Sequence, residues 1–217
     1  MQTRSSPIVG HQGLAHDAPT RPSTRSPLLE LPNPAEWESW LESHHDTHAE
    51  VWLRIAKRHA PVTSLTTSEA LDIALCFGWI DGQRRACDES SFLQRYSRRR
   101  PTSAWSKVNV AKVEALLAAG RMRPSGLAQV AAAQADGRWD AAYDSQRTAE
   151  VPPDLAAELA TSSGARAAFA RLGRSERYAV ILPLLKARTP ETRARILARA
   201  VARLAAAAPS PDRPADR

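Results

Sequence analysis

Residues 69–109, EALDIALCFGWIDGQRRACDESSFLQRYSRRRPTSAWSKVN, decide the fold. They hold two of the six tryptophans, both cysteines, two of the three phenylalanines and a dense run of arginines. Thr66 with Glu69 three residues on is a capping-box pattern, and Leu71, Ala74, Leu75 and Gly78 then share one face, so a helix is predicted over 66–78. Beyond Gly78, residues 79–87 and 92–98 read as two short strands around the acidic turn 88–91, the outline of a hairpin. The turn has no Asn-Gly or Asp-Gly pair.

Outward from this stretch, Asn33-Pro34-Ala35-Glu36 is a helix start, followed by Trp37, Trp40, Leu41 and His44 at helical spacing. Residues 50–57 alternate as a strand, with Val51, Leu53 and Ile55 on one side, and can pair with the hairpin. A small antiparallel sheet of about three strands, backed by the first two helices, gives each apolar face a partner. Helices are predicted over 106–119, 125–135, 153–160, 163–172, 175–187 and 189–206, with Trp139 and Tyr143 covering one edge of the core. Pro183 falls inside the helix over 175–187, where an uncompensated proline costs about 3 kcal/mol, so a kink or two shorter helices is expected.

The predicted fold class is α+β and mostly helical, with the sheet in the N-terminal half and an all-helical C-terminal block. Residues 1–33 and 207–217 are rich in proline without periodicity and read as a disordered leader and tail. Between them, 34–150 forms the α+β domain and 151–206 the helical subdomain, divided near Val151-Pro152-Pro153. No apolar stretch of the leader could be a signal peptide or membrane span, which predicts a cytoplasmic protein with no membrane insertion.

Charge is unevenly placed along the chain. Residues 34–83 carry eight acidic and three basic residues, 84–112 eight basic and two acidic, and 171–203 nine basic and two acidic. These segments either neutralise one another on folding or leave a basic face for a partner. Nucleic-acid binding has the basic composition but no recognisable module, so nucleic acid is not the expected partner. Nothing in the pattern sets an oligomeric state.

The motifs together resemble a known family. EALDIALCFGWIDGQ, the QRY-x-x-RR element and S-x-W-S-x-x-N (Ser103, Trp105, Ser106, Asn109) are similar to the bacterial YdeI/OmpD-associated, or bacteriocin-protection, family. W-x-x-W-L-x-x-H-H from Trp37, VWLRIAK from Val51, AAGRMRPSGL from Ala118, DGRWDAAY from Asp136 and TPETRAR from Thr189 extend the likeness over roughly residues 35–205. The resemblance implies a role in tolerance to bacteriocin or antimicrobial-peptide stress and implies no particular reaction. Pro183, Arg188 and Ile196 depart from the family pattern, and Arg98 and Cys87 replace its usual proline and leucine.

Asp81, flanked by Gly78 and Gly82 where helix turns to strand, is the candidate catalytic carboxylate, or else pairs with Arg99 or Arg100 to hold the hairpin. Gln83, two residues on, is predicted on the same side and could orient a ligand. Arg95, Arg99 and Arg100 could grip a carboxylate or phosphate by paired hydrogen bonds. Trp79, Trp105, Ser106 and Asn109 complete a candidate anion pocket at the start of the helix over 106–119. No metal site is expected: His44 and His48 would share a helix face, but no third ligand lies nearby. Cys76 and Cys87 form no C-x-x-C and read as packing residues.

No cofactor is expected, and G-x-S-x-G, Walker, G-x-G-x-x-G and H-E-x-x-H patterns are all missing from the sequence. Two functions fit the residues. One is a non-enzymatic protein that binds an anionic small molecule or a protein partner. The other is an enzyme acting on a small anionic metabolite, with Asp81 as acid or base and the arginines holding the anion.

Overall fold

The computed structural model describes residues 26–60 and 65–207. In chain order the elements are β1 (Leu28–Glu30), α1 (Pro34–His44), β2 (Glu50–Ala56), α2 (Thr67–Cys76), β3 (Trp79–Ala86) and β4 (Ser91–Arg98). There follow α3 (Lys107–Ala118), α4 (Pro124–Ala135), α5 (Pro153–Thr161), α6 (Ser163–Arg171), α7 (Arg174–Lys186) and α8 (Pro190–Ala206). The α+β class holds, with the sheet confined to the N-terminal half and helices alone from α5 onward.

The sheet has four strands in the order β1-β2-β4-β3 and is mixed, where three antiparallel strands were expected. The extra strand is β1, which runs parallel to β2 with Leu29 opposite Leu53 and lies within the stretch assigned to the leader. Three residues are too few to show a period, and the flanking Pro27 and Pro32 suggested irregular chain. Pro27 is tolerated at the sheet edge because the ladder uses its carbonyl, which accepts from the Trp52 amide at 2.9 Å. The rest of the leader up to residue 25, and the tail from residue 208, lie outside the described residues.

The hairpin turn is built by a side chain. Asp88 accepts from the backbone amides of Ser90 and Ser91, both at 2.8 Å, which supplies the reversal without glycine. The ladder slips between Asp81 and Arg84, a β-bulge that leaves Gly82 and Gln83 outside the regular pairing. The bulge ends the simple alternation that would have set Gln83 beside Asp81.

The described residues form two hydrophobic cores. The first joins Trp37, Trp79, Tyr96 and Trp105 with apolar residues of α1–α4 and the sheet, and the second joins Leu155, Leu159, Phe169, Ile181, Leu184 and Leu204 of α5–α8. α7 is one helix despite Pro183. Pro183 and Ala179, whose carbonyl loses its partner, both lie on the exposed flank, so the missing bond is not a buried loss.

Two glycines seat α4 against the end of α2. Gly78 closes α2 at φ +76°, and a Cβ there would lie 2.8 Å from Gln129 Cγ. At Gly126 a Cβ would stand only 2.1 Å from the Cys76 carbonyl oxygen, so any larger residue would push α4 away. This contact fixes the start of β3, and with it Trp79 and Asp81.

Candidate functional site

The predicted site residues do not converge on one pocket. Trp79 is fully buried, donates its indole N–H to the His45 carbonyl at 3.2 Å and meets Trp40 edge-on, so it belongs to the core. Arg95 is committed to an ion pair with Glu50 on the outer side of the sheet. Arg100 is exposed, and its contact is a backbone one, N–H to Ser103 Oγ at 3.0 Å. Gln83 is exposed on the bulge, its carbonyl taking a 3.4 Å bond from Gln94.

Arg99 turns inward instead. It is 5% exposed, lies 3.5 Å over the Trp105 ring and donates to the Ala104 carbonyl at 3.2 Å. Its Nε and Nη2 have no partner among the described residues, and burial lowers its pKa to about 10. Among the described residues Asp81 forms no ion pair with Arg99 or Arg100, so it does not fasten the hairpin by that contact. Arg99 acts on Asp81 through its field alone.

Asp81, Ser106 and Asn109 do come together. They line a cavity of about 460 Å³ between the α+β body and the helical block, with Tyr143, Tyr178 and Lys186 on its other walls. Ser106 caps α3 by accepting from the Asn109 amide at 3.2 Å. The chain around Tyr143 is tied to that helix start by two backbone bonds: its amide donates to the Trp105 carbonyl and its carbonyl accepts from the Lys107 amide, each at 2.9 Å. α7 supplies the facing wall. Tyr178 donates its hydroxyl to the Asp144 carbonyl at 2.8 Å, and the Lys186 ammonium stands 4.9 Å from the Tyr143 ring centroid.

The polar groups of this cavity are largely uncommitted. Asn109 is 6% exposed, and no group among the described residues hydrogen-bonds its carboxamide. Among the described residues Lys186 has neither an ion pair nor a hydrogen bond, while the other three lysines have theirs: Lys57 to the Asp88 and Glu89 carbonyls, Lys107 to Asp144 and Lys112 to Asp72. Packing raises the Asp81 carboxyl and lowers the Lys186 ammonium, in both cases by desolvation, although each keeps access to solvent. Burial also raises the phenols of Tyr143 and Tyr178, which keeps them protonated. Ligand-binding and proton-transfer sites commonly gather perturbed titratable groups in one concave place, as this cavity does.

Sequence reasoning placed Tyr143 at the core edge and did not single out Tyr178 or Lys186. One signal was present: the chain has four lysines among its thirty Lys and Arg residues, so a lysine within α7 is unusual for this sequence. Of the remaining candidates, Cys76 is buried and Cys87 is exposed, against the expectation that both pack. His44 stacks on Trp40 at 4.8 Å, with His48 edge-on to both. No described helix is long and apolar enough to cross a membrane.

The chain matches two family models, one in each half. Residues 29–129 match a domain of unknown function (DUF8412), and residues 148–207 match the model described as bacteriocin-protection, YdeI or OmpD-associated. No curated protein and no solved structure matches the chain significantly. The two matched stretches part where the two cores part, with Tyr143 between them, so the motifs from Trp37 to Asn109 fall in the first match and TPETRAR in the second. The family likeness read in the sequence is thus carried by the helical block, whose residues 148–207 are similar to the bacteriocin-protection, YdeI or OmpD-associated family.

Proposed function

We propose that the protein binds a small anionic organic molecule in the cavity between its two halves, and that it does so in the cytoplasm. The observation that supports this most is the pair of uncommitted groups on walls of the same cavity, the Lys186 ammonium and the carboxamide of the otherwise buried Asn109. A carboxamide that opens on a cavity and has no partner among the described residues is available to a ligand. Lys186 supplies the charge, and the buried Arg99 guanidinium behind Trp105 adds to the positive potential. Tyr143 and Tyr178 offer aromatic surface and hydroxyl groups to the rest of the molecule.

Asp81 favours a second reading, an enzyme that moves a proton on the bound anion. A carboxyl whose pKa is raised by burial serves as an acid nearer to neutral pH than an ordinary aspartate does. In either reading the bacteriocin protection in the family's description would follow from what happens to this ligand.

The test is a melting series against small carboxylates and phosphate esters. A ligand at a hundred times its dissociation constant should add about 2.7 kcal/mol of stability. Asn109→Ala and Lys186→Met should each remove most of that gain. A gain that survives both substitutions would place the ligand elsewhere and contradict the proposal.

A further inference from the structure

We infer that Lys186 is a covalent-binding lysine, whose Nζ forms an imine with a carbonyl-bearing carboxylate such as a 2-oxo acid held in the cavity. The inference rests on the binding reading above and gives the ligand a chemical class. Three observations carry it. Of the four lysines Lys186 is the one with no acceptor among the described residues, so its amine is not tied into a bond that attack would have to break. Its Nζ lies 4.9 Å from the Tyr143 ring centroid on the wall of a cavity large enough for a small organic acid. The same cavity holds a phenol and a carboxyl, the acids that dehydration of the adduct requires.

Desolvation of Lys186, which no ion pair among the described residues opposes, raises the share of neutral amine and so of nucleophile. The Nζ lone pair forms the new bond to the carbonyl carbon, and the carbonyl π pair moves to oxygen. A proton passes from nitrogen to that oxygen, giving the carbinolamine. The hydroxyl then takes a proton from the Tyr143 phenol and leaves as water while the nitrogen lone pair closes the C=N bond. The resulting iminium returns a proton to the tyrosinate, so amine and carbonyl become imine and water with Tyr143 restored. Asn109 is placed to donate to the ligand's carboxylate while this happens.

The test treats the full chain with glyoxylate and cyanoborohydride and maps the reduced adduct by peptide mass spectrometry, with Lys57, Lys107 and Lys112 as internal controls. The expected result is that most of the early label lies on Lys186. Lys186→Arg, checked for folding by circular dichroism, should lose that label and leave slow, even labelling of the other three. Label no faster at Lys186 than at the controls would overturn the inference. Glycolate, which has the carboxylate without the carbonyl, separates the two levels of the account. If glycolate raises the melting temperature while Lys186 shows no preference for glyoxylate, imine formation falls and binding stands. If neither acid raises it and no preference appears, both fall.

Discussion

The two halves of the molecule reach stability by different means. The α+β body buries large aromatics: Trp37, Trp79, Trp105 and Tyr96 are all within a few percent of full burial, and Trp37 also donates its indole N–H to the Ala70 carbonyl at 3.0 Å. The helical block has no tryptophan, and the largest fully buried side chains there are Leu155 and Leu184. Its helices are joined by a charged clamp, a device the body also uses where Arg54 pairs with Glu30 and Asp88. Arg193 of α8 donates to both carboxylate oxygens of Asp154 on α5, at 2.6 and 2.9 Å, and to the Leu184 carbonyl on α7 at 2.8 Å. The halves meet mainly through polar groups such as Tyr178 to Asp144, Gln146 to Ser175 and Arg188 to the Asp136 carbonyl. A joint of this kind can hold an open, wet cavity, where two apolar faces would have closed on each other.

If the body depends on its aromatics, Trp37→Ala should have the largest effect, a loss of about 3–5 kcal/mol. Both tryptophan fluorescence and far-UV circular dichroism should report it in denaturant melts. Leu184→Ala should cost about 2–5 kcal/mol, but within the helical block. All six tryptophans precede residue 140, so fluorescence sees the body alone. The expected outcome is an early loss of helix signal with fluorescence unchanged, whereas coincident transitions would show that the halves unfold as one unit. Arg193→Ala should cost less, on the order of 1 kcal/mol, because both partners are about one-third exposed and solvent screens the pair.

Asp81 gives the smallest effect and one of opposite sign. Its folded pKa lies above its ordinary value of 3.8, so the folded state holds the proton more tightly than the unfolded chain. The ionised form is therefore penalised in the fold, and the penalty is complete once the pH is above the folded pKa. Asp81→Asn should raise the melting temperature of the ligand-free protein at neutral pH. That gain should shrink as the pH falls through the folded value and vanish below 3.8. A destabilising Asp81→Asn at neutral pH would contradict the environment described for this carboxyl.

Much of the fold could be read from local chemistry. The capping box of α2 is present as the sequence implied, Thr66 Oγ1 accepting from Glu69 N at 3.2 Å and Glu69 from Thr66 N at 2.9 Å. Asn33, Ser106 and Thr189 likewise cap the helices they precede. The site was less legible, because closeness along the chain is a poor guide to closeness in space at a strand end. Arg95 goes to Glu50, Arg99 turns under Trp105 and Arg100 stays outside, so a run that reads as one cationic cluster is dispersed. Tyr143 reaches Ser106 through backbone bonds, and Lys186 reaches Tyr143 through helix packing, neither of which leaves a local pattern. The bulge after Asp81 is set by pairing with β4 and was equally hidden, so Gln83 was misplaced by alternation.

The central claim is that the cavity at the joint is a binding site shared by both halves. The most direct measurement is a two-dimensional amide NMR titration with a small carboxylate. The account predicts saturable shifts grouped around Asp81, Ser106–Asn109, Tyr143 and Lys186, that is, in both halves at one ligand concentration. Shifts confined to the exposed arginines Arg84, Arg85 and Arg100, growing linearly without saturation, would contradict it.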